Sequence, residues 1–329
     1  MTISNLQTST DQALSAQLPS LARKAIKPLS SLAIAAGALV GPFLQSAIVT
    51  QEVSLEAGIN WNQATSGGDF IWSDGLAASG TNDYVNAGFT LRTPTSSSTF
   101  NGKSLTIQAG GQLLLKPSGA NRVFTINDLI LDGGTITHGQ PSITTSYIAG
   151  SITLLSDSGY NATGSSYRRA TISASITGSS VFNVILGGSD ALTISSSFNS
   201  FNGVWDVEQY LSEIPVGFFA TGDGSLGNSS VSIDTGINFD ADYDIYNPTK
   251  YLSMSGIMTL DQDHTFGSID IGGSALAAGT YTFAELNSTY DSYFADGGTG
   301  SLTVVPEPSY FSMALFALGI VGFARRSRK

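Results

Sequence analysis

The residues whose chemistry and spacing stand out are three carboxylates. Asp240, Asp242 and Asp244 lie at i, i+2 and i+4 within Asn238-Phe239-Asp240-Ala241-Asp242-Tyr243-Asp244. On a strand they share one face, and in a loop they could wrap a hard cation. Calcium prefers such oxygen ligands, and it is the one cofactor the sequence suggests. The twelve-residue EF-hand loop is excluded, because Ile245 occupies the position that needs Gly and Tyr251 the position that needs Glu. The other reading is a solvated acidic loop.

The remaining reactive side chains form no constellation. Neither His138 nor His264 has a second histidine or a spaced ligand set, so zinc is excluded and both are expected on the surface or in turns. His264 follows Asp261-Gln262-Asp263, and nearby anions predict a raised pKa. Arg168-Arg169 could act as the base of a polysaccharide lyase, but no acidic cluster lies near it in sequence. A glycosidase needs two carboxylates facing across a cleft, and the sequence selects no pair. A nucleophile elbow, G-x-S-x-G, is absent. The chemistry therefore points away from an enzyme. Trp61, Trp72 and Trp205, with Tyr84, Tyr243, Tyr246 and Tyr251, could stack on sugar rings, since aromatic groups combine an apolar face with polar edges. For Trp61 and Trp72 the competing role is to cap the first coil of a repetitive fold.

Composition limits what could position such groups. The chain has 329 residues, no cysteine, 37 glycines and a formal charge of −11. Without cysteine it has neither a disulfide scaffold nor a thiolate metal site. An acidic surface repels phosphate, so nucleic acid is not a partner. Between residues 48 and 305 lie only seven of the 14 basic residues but 23 of the 25 acidic ones, a charge of −16. Half of all the cations sit in the two end segments.

Those end segments read as addresses. Arg23, Lys24 and Lys27 precede an apolar run, Leu29 to Leu44, followed by the small residues Ser46 and Ala47. A basic region, an apolar stretch and a small-residue exit are the parts of a secretory signal peptide. Residues 1–47 are assigned to it, with an unusually long polar leader. At the other end, Pro306-Glu307-Pro308 precedes the apolar residues 310–324, which are followed by Arg325, Arg326, Ser327, Arg328 and Lys329. As a helix, fifteen residues span about 22 Å at 1.5 Å each, thin for a bilayer core. Terminal cations stay cytoplasmic, so the body is expected outside, held briefly at the inner membrane by this segment.

Between the ends, apolar and polar residues alternate in short runs: Ser104 to Gln108, Asp128 to Ile136, Ala191 to Ser195, Val231 to Phe239 and Ser268 to Leu276. Period two with β-branched residues means strands, and the Gly pairs between them mean tight turns. No helical stripe is evident from 48 to 305. Gly110-Gly111 and Gly133-Gly134 are 23 residues apart, about one coil of a solenoid. The body, 48–305, is thus predicted to be all-β: an irregular right-handed parallel β-helix, with a β-sandwich as the alternative.

Two resemblances follow from these residues. Pro306-Glu307-Pro308, the apolar segment and the Arg cluster of Arg325, Arg326 and Arg328 resemble the PEP-CTERM sorting signal. In that family an exosortase, a membrane-embedded cysteine transpeptidase, cuts near the motif and passes the protein to the cell surface. The family occurs in Gram-negative bacteria that make exopolysaccharide. The resemblance implies an exosortase and the exopolysaccharide matrix as partners, and a biofilm setting. Within the body, residues 198–236 are similar to the autotransporter-associated β-strand repeat, with Phe201-Asn202-Gly203-Val204-Trp205 leading to Gly224-Ser225-Leu226-Gly227. Residues 267–305 look like the terminal β module that follows in such proteins. The expected role is structural or adhesive; the alternative is a polysaccharide lyase or glycoside hydrolase on the same scaffold.

Overall fold

The computed structural model describes residues 46–305, apart from 53–58, 65–66, 69, 120, 140–144, 164–167, 189, 198 and 211–215. The body is a parallel β-solenoid of about 7 turns. Each turn contributes to two long sheets, of 13 and 12 strands. Among the described strands all pairings are parallel except Asp263–Ile271 with Ser274–Ala275 and Gly279–Thr282 with Ser301–Val304. A β-sandwich is built from antiparallel hairpins, so that alternative is ruled out.

The register explains why the alternation was so regular. Leu91, Leu113, Ile136, Tyr160, Val184, Val207, Ile233, Met254 and Ile271 stack in one inward ladder. Their spacings are 22, 23, 24, 24, 23, 26, 21 and 17 residues, so coils shorten towards the end. Opposite them, Ser146, Ala170, Leu192, Phe218, Phe239 and Met258 stack in the other sheet. Both ladders are buried. Each large apolar side chain so buried contributes roughly 1.5–3 kcal/mol. The parallel ladders satisfy backbone N–H and C=O groups along the axis, which is how a cysteine-free chain stays folded.

The Gly pairs mark corners where successive coils nearly touch. Gly133 has φ +81°, and a Cβ on Gly134 would lie 2.3 Å from the Ile107 side chain. Only glycine permits that approach.

Both ends are covered. At the start, Trp61, Trp72, Tyr84, Phe100 and Phe124 meet edge to face, with Trp72 and Tyr84 at 4.7 Å and Trp61 and Phe100 at 5.6 Å. The Trp61 backbone N–H donates to the Arg92 carbonyl at 3.0 Å, blocking the edge of strand Thr90–Arg92. Ser46 and Ala47, assigned to the signal peptide, are tied into this first coil: the Ser46 hydroxyl donates to Asp83, and the Ala47 carbonyl accepts from Asp83 N–H. That carboxylate is held below its usual pKa by the hydroxyls of Ser46 and Ser104 and by Lys103 at 3.3 Å.

At the other end a helix appears where none was expected, Phe283–Tyr290. A capping box starts it: Thr282 accepts from Glu285 N–H, and the Glu285 carboxylate accepts from Thr282 N–H at 2.8 Å. Leu286 turns inward and is buried. Phe294 bridges to Met258, closing the last coil on that side.

Candidate functional site

The structure divides the three aspartates between a strand and the loop beyond it. Asp240 lies on strand Ile237–Ala241, whereas Asp242 and Asp244 fall in the bend and loop beyond it. Burial, then repulsion from Asp242 and Asp261, raises the Asp240 pKa. One oxygen of Asp244 accepts from Asp263 N–H at 3.0 Å, an inter-coil tie. Among the described residues no three His, Asp or Glu side chains gather as a metal group. Because the strand ends at Ala241, the arrangement is the loop alternative rather than a single strand face.

The tryptophans are closed to ligand. Trp61, Trp72 and Trp205 are 0%, 2% and 0% exposed. Trp205 packs among Phe182, Phe201 and Phe218 at 5.1–5.6 Å. An indole face used for packing cannot stack on a sugar. Tyr84 is buried as well, Tyr243 is half-buried, and Tyr246 and Tyr251 remain exposed.

Both histidines are also internal, against the expectation of surface positions. His138 ends strand Thr135–His138, and its Nε2 pairs with the Ser146 hydroxyl at 3.1 Å. His264 Nδ1 accepts from Ile245 N–H at 3.2 Å. Its pKa is lowered to about 4, not raised, because burial outweighs Asp244 and Asp263.

Arg168 has a carboxylate neighbour that its sequence surroundings lacked. Its backbone N–H donates to Asp190, 22 residues on. Asp190 and Tyr160 are 1% and 0% exposed. Burial pushes the Asp190 pKa up to about 7 against the pull of the Arg168 and Gly187 N–H groups and the guanidinium charge, and the Tyr160 phenol is raised too. Tyr160 Oη, Asp190 Oδ2 and Arg168 Nε are buried without hydrogen-bond partners. This is an interior polar knot, not an open cleft. Its signal in the sequence is faint, because Asp190 reaches Arg168 only through coil stacking.

An open groove of about 380 Å³ lies elsewhere, between the turn at Gly224–Asn228 and the stretch Tyr243–Asn247, with Asn199 beside them. Its frame is rigid. The Asn247 amide donates to the carbonyls of Gly227 (3.3 Å) and Ser229 (2.9 Å). The Asn199 amide donates to Ser225 O, and its carbonyl accepts from Ile176 N–H. Tyr243 Oη accepts from Leu226 N–H at 3.0 Å. The asparagines were missed because Asn in turns is common and carries no spacing signal.

The segments assigned to sorting lie outside the described residues: 1–45, and the motif residues Pro306, Glu307, Pro308, Arg325, Arg326 and Arg328. Among the described residues no helix is long and apolar enough to cross a membrane; the expected anchor, 310–324, is not among them. The last axial backbone bond, Val305 N–H to Phe266 O at 2.9 Å, falls at the edge of this region. No curated protein and no solved structure matches the chain. A sorting motif of the PEP-CTERM type implies export, transient anchoring at the membrane and processing by an exosortase. Residues 304–329 match the PEP-CTERM protein-sorting motif, and the chain therefore carries that motif from the final residue of the solenoid's last strand, Ser301–Val304, onward.

Proposed function

We propose that the protein is a non-catalytic component of a Gram-negative cell surface, structural or adhesive, resident in or on the exopolysaccharide layer. The sorting motif at 304–329 is the observation that carries this reading. The solenoid supports it: its large apolar side chains stack mainly inside and both ends of the coil are covered, while the outward strand positions are mostly polar. Its surplus of acidic residues keeps it hydrated within a glycan matrix. The enzymatic alternative would need Arg168 and a carboxylate on an open face. Here Asp190 beside it is buried, which does not favour a lyase.

The test is fractionation of the native host with and without its exosortase, with mass spectrometry of the C-terminus. A surface or matrix form lacking the Arg cluster in the parent, and an intact membrane form in the deletion strain, are expected. Intact chain ending at Lys329 dissolved in the parent's cytosol would overturn the reading.

A further inference from the structure

We propose that the groove between Gly224–Asn228 and Tyr243–Asn247 binds a neutral oligosaccharide, with the Tyr246 ring as its platform. This deepens the reading of a matrix-resident protein and rests on it.

Three observations converge. First, Tyr246 is 73% exposed at the start of strand Tyr246–Met254, against 39% for Tyr251 on the same strand, while Leu252 and Met254 face inward. Alternation along the strand turns the ring outward, opposite the buried Asn247, so it is presented to solvent beside the groove. Its flat apolar face with a polar rim matches a pyranose, whose axial hydrogens form an apolar face of similar size. Second, the side chains beside it can pair with sugar hydroxyls. Asn228 is exposed; its amide donates to Asn202 Oδ1 at 3.4 Å, a long bond that leaves the carboxamide oxygen and the second amide hydrogen for a ligand. Asp244 is exposed and uses one carboxylate oxygen for Asp263 N–H, which leaves the second. A carboxylate accepts from hydroxyls, and a carboxamide both donates and accepts. Third, the frame is fixed in advance by Asn199, Asn247 and the Tyr243 hydroxyl, so binding orders little. A volume of about 380 Å³ falls within the range of small-ligand clefts.

Charge selects the class of glycan. Asp244 is the sole charged side chain among the lining residues. Lys250, the nearby cation, donates to the Asn202 carbonyl at 2.9 Å and is not part of the lining. Uronic acids would meet Asp244 and the −16 charge of residues 48–305. Like charges repel, so a neutral chain fits and an acidic one does not.

The experiment uses the protein purified from its host. The probes are oligosaccharides cut from the host's own matrix polysaccharide and separated by anion exchange into neutral and acidic fractions. Binding is read by calorimetry at pH 7. The expected result is binding of the neutral fraction, weakened at least tenfold by Tyr246→Ala and several-fold by Asn228→Ala. Tyr246→Phe should bind within twofold of the parent, and so should Tyr210→Ala, which removes an exposed ring outside the groove. The variants are at exposed positions, and unchanged melting confirms that each is folded. Parent-like binding by Tyr246→Ala, or binding of the acidic fraction alone, overturns the groove assignment and leaves matrix residence standing. Failure of the parent to bind either fraction overturns the groove assignment together with direct attachment to the matrix.

Discussion

The indole N–H of Trp205 donates to the backbone carbonyl of Leu226 at 3.1 Å, across one coil of the solenoid. That bond joins Phe201-Asn202-Gly203-Val204-Trp205 to Gly224-Ser225-Leu226-Gly227. It gives a physical reason for the two pieces to occur together. The turn places a carbonyl over a ring that is fully buried and would otherwise carry an unpaired donor. Ser229 shares the same carbonyl at 2.7 Å.

Replacing Trp205 by Phe keeps an aromatic ring in the core but removes the donor and leaves a small void. We expect a loss of about 1–2 kcal/mol, since Leu226 O retains Ser229. Trp205→Ala should cost about 3–5 kcal/mol, because it also empties a core site. Chemical denaturation measures both, and equal losses for the two variants would show that the bond, not the packing, dominates.

Gly203 and Gly80 should respond oppositely to the same change. A Cβ on Gly203 would lie 2.0 Å from the Ser180 carbonyl oxygen, a backbone atom that cannot turn aside. On Gly80 the nearest atom is Asn101 O at 3.7 Å. Gly203→Ala is expected to lose several kcal/mol or to yield no soluble protein, an overpacking effect. Gly80→Ala should stay within about 0.5–1 kcal/mol of the parent, with either sign. Melting temperatures of the pair settle it.

Asp190 makes the protein less stable as pH rises. Its carboxyl titrates at about 7 when folded, above the ordinary value of 3.8. Between those values the native state holds a proton that the unfolded chain has released, so the Asp190 contribution to stability falls from about pH 4 to about pH 7 and then levels off. The full loss is on the order of a few kcal/mol. Asp190→Asn should remove this contribution, so the variant gains on the parent as pH rises; a difference in urea midpoint between variant and parent that stays constant from pH 4 to pH 8 would refute it.

His264 acts in the other direction. Its folded pKa of about 4 lies below the ordinary 6.5. On acidification the unfolded chain takes up a proton that the buried imidazole refuses, so stability drops from about pH 6.5 to about pH 4. His264→Asn keeps an acceptor for Ile245 N–H but leaves a small void. It should lower stability at pH 7 by roughly 1–3 kcal/mol while removing this acid-side slope. The slope is the readout, because a purely structural role would change only the height.

How much could be read beforehand varied by element. Ser104–Gln108 and Ala191–Ile194 were legible as strands because inward and outward residues alternate along the chain itself. The corner at Gly133-Gly134 was legible because the close approach to Ile107 forces glycine. The helix Phe283–Tyr290 was not, since eight residues with Leu286 alone buried make no stripe, yet Thr282 and Glu285 spell its capping box. Tyr246 was named among seven aromatic candidates, but its exposure separates it from the buried Trp61, Trp72 and Trp205 only once the coils are stacked.

By itself the sequence determined the coil: strand alternation, turn positions, the charge imbalance and the sorting motif are all local patterns, each readable within a few residues. Tertiary structure decided what the coil does with its polar groups. Stacking drew His138 and His264 inside, set Asp190 against Arg168, and framed a groove from Asn199, Asn228 and Tyr246. The reason is that alternation states which way a side chain points, whereas its neighbours come from coils about 20 residues away, and only the parallel register specifies which residues those are.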